Sequence, residues 1–107
     1  MKLIELEPQF LRFTSTGYAY VDTLDEAQGI KFLCPKCFER NGGAVGTHII
    51  VVWFNGRDVD AAAVPTPRWG VAGTGHADLT ITPSISLESV DKIGCQWHGF
   101  VTNGEAT

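Results

Sequence analysis

Long apolar runs are missing from this chain. The longest, Ile49 to Phe54, is a quarter to a third of what a membrane-spanning helix needs, about 20 residues. A secretory leader is not read either, because Glu5 and Glu7 interrupt the apolar stretch that such a segment requires, so a cytoplasmic location is expected. Charge is sparse at 19% and basic charge sparser still, with 8 Lys and Arg against 12 Asp and Glu and a net charge of −4. Phosphate neutralisation needs clustered cations, and only Lys31, Lys36 and Arg40 fall near one another, so general nucleic-acid binding is disfavoured. Helical periodicity is almost absent, confined to a brief turn over 23–29. With only three cysteines, an odd number, a disulfide scaffold is disfavoured as well.

What is present is strand-like. Short stretches of β-branched and aromatic residues occur at 3–6, 10–15, 18–23, 30–34, 48–54, 78–87 and 99–103, several with period-two alternation. The run at 48–54 is apolar throughout and reads as a central strand covered on both faces, closed by a turn at Asn55–Gly56. Residues 58–77 hold two prolines and several small-residue breaks, and read as a long irregular loop. The chain at 107 residues suits one domain with a modest core. The expectation is a single all-β domain, 1–107, built of antiparallel sheet.

The cysteines form two short pairs with a histidine, Cys34-x2-Cys37 and Cys95-x2-His98. Two ligands at that spacing fit one tight turn, and two such turns make a closed tetrahedral Cys3His site. One structural zinc ion is expected on Cys34, Cys37, Cys95 and His98, in preference to iron, which suits His98 less well. Such an ion contributes on the order of ten kcal/mol to folding, which suits a small β domain with a long loop. With every thiol ligating, none remains as a nucleophile, and a closed site lacks the open position that hydrolytic zinc needs.

The order C-P-x-C, a tryptophan in a loop, Leu79 to Ile85 (LTITPSI), then C-x-x-H and a strand ending in Asn103–Gly104 resembles a family of small zinc-binding proteins of bacteria and prophages. Some of its members lie near ubiquitin-like conjugation genes. The resemblance implies ligand roles for the same four residues and brings no established activity. More distantly, two knuckles about sixty residues apart are similar to the β-tent group, which includes the thalidomide-binding domain of cereblon and the Yippee proteins. A β-tent or zinc-ribbon-like sheet is the fold this implies.

Outside the knuckles, Trp69 stands beside Arg68 in the loop, where it either folds back as a lid on the core or serves as an exposed anchor. Trp97 lies within the second knuckle, as a shield for the metal or a cover for the sheet. His76 and Asp78, two residues apart after Gly73 and Gly75, could cooperate in acid–base chemistry, against the plainer reading of a polar loop with Asp78 capping a turn. The leading expectation is a non-enzymatic, zinc-stabilised binding module, a prophage or accessory protein that meets a protein partner through Arg68, Trp69, His76 and Trp97. The alternative is a small-ligand binder or small enzyme, with an aromatic pocket near Trp69 and Trp97 and the His76–Asp78 pair at its rim. Convergence of His48, His76 and Asp78 on one cleft would favour that alternative. The N-terminal strands offer a sheet edge through which a homodimer could form.

Overall fold

The structure is a computed structural model, and it describes residues 1–59, 67–86 and 97–107. The four strands β1 (Gln9–Thr14), β2 (Gly17–Val21), β3 (Gly29–Leu33) and β4 (Ile49–Trp53) form one antiparallel sheet in the order β2-β1-β3-β4. A second antiparallel sheet runs β5 (Gly70–Ala72), β6 (Thr80–Ser86), β7 (His98–Thr102) and β8 (Glu105–Ala106), each strand beside the next in sequence. The all-β expectation holds, with one short helix, α1 (Pro35–Asn41), between β3 and β4.

Register explains the core. Phe10 pairs with Ile30, and Ile30 with Val52, so three apolar side chains line up across β1, β3 and β4; Phe32 and Ile50 make the next row. The second sheet contributes Ile81, Ile85 and Val101, with Leu79 just before β6, and residues of both sheets meet in a single buried cluster. Period-two alternation is what sorts these side chains inward. The other face of the first sheet carries the row Leu11, Gly29 and Trp53. There Phe13 meets Trp53 edge-on, with ring centroids 6.0 Å apart.

Three sequence expectations are corrected. The segment at 3–6 is a 3-10 turn rather than a strand, and its tighter winding puts Leu3 and Leu6 on one side, both fully buried. Among the described residues β4 is an edge strand of its sheet rather than a central one, with Ile49 44% exposed. Its apolar outer residues are explained by what crosses its end: Trp69 forms a parallel bridge with Phe54, its N–H on the Trp53 carbonyl at 3.0 Å and its own carbonyl accepting from Asn55 N–H at 2.7 Å. The expected loop at 58–77 is in part structured, since it holds β5 and the start of a 3-10 turn at His76–Asp78. Among the described residues no helix is long and apolar enough to cross a membrane.

Candidate functional site

Two constellations lie on this frame. The first begins where β3 ends. Cys34 is the N-cap of α1, with Pro35 at the first helical position, where its missing N–H costs nothing. Cys37 follows three residues on, so both side chains belong to the first turn. The expected tight knuckle is therefore the start of a helix. Gly42, at φ 71°, ends that helix in the left-handed conformation, and the Gly43 N–H bonds back to the Phe38 carbonyl at 3.0 Å. The returning chain then extends the β3–β4 ladder by one pair: Leu33 faces Ile49, and the Cys34 N–H donates to the His48 carbonyl at 3.0 Å.

That register delivers His48. Cys34, Cys37 and His48 each offer a ligand atom, and the three atoms lie within 4.8 Å of one another. Both cysteines are buried and His48 is half-buried. Arg40 Nη2 donates to Cys37 Sγ at 3.3 Å. Two thiolates and an imidazole are a donor set suited to a metal ion. Cys95 lies outside the described residues. Trp97, two residues further on, is 7% exposed and packs edge-on against Phe32 at 6.3 Å. It also lines a shallow cleft with Pro35, Lys36 and Glu39 of α1, so Trp97 lies beside the helix that carries Cys37.

His98 is not in this group. It opens β7, whose outward residues alternate His98, Phe100 and Thr102, all exposed, with Gly99 and Val101 buried. His98 faces Ser86 directly across β6, and its Nε2 lies 2.8 Å from the Oγ of Ser84, two residues along the same face. The β6–β7 register shifts between Ile81 and Ile85, and this irregularity surrounds Ser84. Irregularities of this kind re-aim a side chain, and they occur often beside active sites. With the imidazole proton on Nδ1, Nε2 accepts the serine hydroxyl's hydrogen bond. Ser84 is half-buried and His98 exposed, so the pair can be reached from solvent. Behind it, the indole of Trp69 donates from Nε1 to the Ser84 carbonyl at 3.1 Å.

The remaining expected residues are dispersed. Trp69 is 4% exposed and folds back onto the core, the lid of the two readings left open by the sequence. Arg68, next to it, is half-buried. His76 stacks on Phe10, with centroids 4.1 Å apart, and burial lowers its pKa from 6.5. Asp78 does not reach the imidazole chemistry: its carboxylate accepts from Thr74 N–H, Thr74 Oγ1 and Gly75 N–H, each as close as 2.9 Å. Those bonds, led by the Thr74 amide, lower its pKa from 3.8. His48, His76 and Asp78 thus have separate surroundings, and the plainer reading of Asp78 as a loop cap is the one its contacts match.

Sequence reasoning missed Ser84 and His48 in these roles. For His48 the signal was the hairpin register, which places it opposite Cys34 once Leu33 faces Ile49. For Ser84 it was weaker: a serine on the polar side of a strand whose neighbour begins with a histidine.

Fold and site together define a small two-sheet domain with a Cys/His cluster able to hold metal at one corner and an accessible serine–histidine pair on the face of the other sheet. The chain belongs to the family described as "Bacterial ubiquitination-like system serine protease (BubE)", whose model matches residues 5–107. No curated protein and no solved structure matches it.

Proposed function

We propose that this protein is a serine peptidase of a bacterial ubiquitination-like system, with Ser84 as nucleophile and His98 as its general base. The observation that carries the reading is the 2.8 Å approach of His98 Nε2 to Ser84 Oγ on an open sheet face; the family's description agrees with it. Ser84 Oγ adds to the carbonyl carbon of the scissile amide while its proton passes to Nε2. Collapse of the tetrahedral adduct breaks the C–N bond, and the same proton leaves with the amine. Water then hydrolyses the acyl ester, giving one proton to His98, which returns it to Ser84. The substrate and partners are proteins of the same system.

In this proposal the metal is structural. Zinc sits on Cys34, Cys37 and His48, with Cys95 as the fourth ligand, and clamps β3, α1 and β4 rather than taking part in hydrolysis. Reduced thiols in such a site fit a cytoplasmic setting. A second reading, a module that binds without cleaving, draws on the exposed aromatic patch of the edge strand β2, where Tyr18 and Tyr20 are 39% and 57% exposed.

A fluorophosphonate probe separates the two. One label per chain is expected, on the peptide that contains Ser84, and S84A abolishes it. H98Q slows labelling on the order of a thousandfold, the scale of losing the base of such a pair. Equal labelling of wild type and S84A would rule out Ser84 as the nucleophile, and a wild type that takes no label would leave the binding module as the reading.

A further inference from the structure

Trp69 connects the two sheets at the nucleophile. Its backbone is fixed on both sides, N–H to the Trp53 carbonyl at 3.0 Å and carbonyl to the Asn55 N–H at 2.7 Å, so it is bonded to the end of β4. Its indole crosses from there to the second sheet and gives its one N–H to the carbonyl of Ser84, at 3.1 Å. At 4% exposure the residue is buried. The Ser84 carbonyl needs this partner for a specific reason. β5 pairs with β6 only as far as Gly70 opposite Thr82, and beyond that point the chain leaves for β4. The β6–β7 register is also irregular between Ile81 and Ile85. The nucleophile thus sits on the least regularly paired part of its strand, where the ladder alone fixes it weakly.

We infer that Trp69 is a positioning residue, whose indole N–H locks the backbone of Ser84 in the orientation that aims Oγ at His98. The inference rests on the Ser84–His98 reading. Trp69 touches no reacting atom. It acts by holding the peptide group of the nucleophile, and a nucleophile displaced by even a fraction of an ångström loses its alignment with the base.

W69F keeps an aromatic ring and deletes the donor. Measured with the fluorophosphonate probe on the metal-loaded full chain, its maximal labelling rate is expected to fall about five- to tenfold, the scale of one lost hydrogen bond. The probe concentration at half-maximal rate stays within about twofold, since the binding face is untouched. A merely structural role for Trp69 would lower the folded fraction and leave the rate per folded molecule alone, so rates are counted per folded chain. Benzothienylalanine at position 69 keeps the size and shape of the indole without its N–H. This second variant is expected to show the same drop in rate, and it tests the lost donor should W69F fail to fold. A wild-type rate per folded molecule in either variant overturns the inference. S84A keeps the two claims apart: if it still labels, the dyad itself is wrong, whereas a silent S84A beside a wild-type rate in W69F removes only the role of Trp69.

Discussion

Asp78 shows how a residue that looks catalytic in sequence can be structural. Its carboxylate accepts from Thr74 and Gly75 and closes the loop before β6. Because those bonds lower its folded-state pKa below 3.8, it stabilises the fold above that value, and the contribution is lost as pH falls through the lowered one. D78N is therefore expected to melt below wild type near neutrality, and the gap should close in strong acid. Calorimetry at about pH 7 and about pH 2.5 reads this directly; a gap that persists unchanged at the lower pH would mean that the carboxylate's charge is not what holds the loop. His76, by contrast, is packed on Phe10, and burial lowers its pKa, with no carboxylate partner from Asp78.

Between elements, one close constraint lies on the outer face of the first sheet. Gly29 of β3 faces Trp53, and a methyl group at Gly29 would stand 2.7 Å from the Trp53 ring and 2.7 Å from the Val52 carbonyl oxygen. A glycine inside a strand normally weakens it. Here it is the space into which Trp53 lies. G29A should cost about 1–3 kcal/mol by overpacking, measured by urea unfolding; an unchanged or raised stability would show that Trp53 can swing away. A different fit governs the β7–β8 hairpin, where Asn103 at φ 50° and Gly104 at φ 81° make the two-residue turn. Gly104 also passes close beneath the Ala77 carbonyl, at a separation that leaves no room for a Cβ. Asn-Gly is the pair that such a turn selects.

For the molecule as a whole, the proposed metal site is where stability is expected to be most sensitive, and the variants that test it also decide its membership. One zinc per chain is expected by elemental mass spectrometry, with a lower melting temperature after chelation. H48A should lose the metal, and H98A should retain it while losing reactivity at Ser84. Retention of zinc by H48A together with its loss from H98A would restore the Cys3His site read from the paired spacing, and would remove His98 from catalysis.

The all-β class, the turn at Asn55–Gly56 and the pairing of Cys34 with Cys37 in a group able to hold a metal ion were legible in the sequence, because alternation, turn residues and ligand spacing are local properties of the chain. The C-x2-H spacing was equally local, and it pointed to His98 as a ligand. Which histidine stands beside the cysteines is not local: strand register carries His48 to Cys34, and the outward alternation of β7 carries His98 to Ser84. Only the tertiary structure could decide that, since a serine and a histidine fourteen positions apart become a pair solely when two strands are in one register. The same holds for Trp69, exposed anchor or lid by sequence alone, and buried because β5 turns it back across the end of β4.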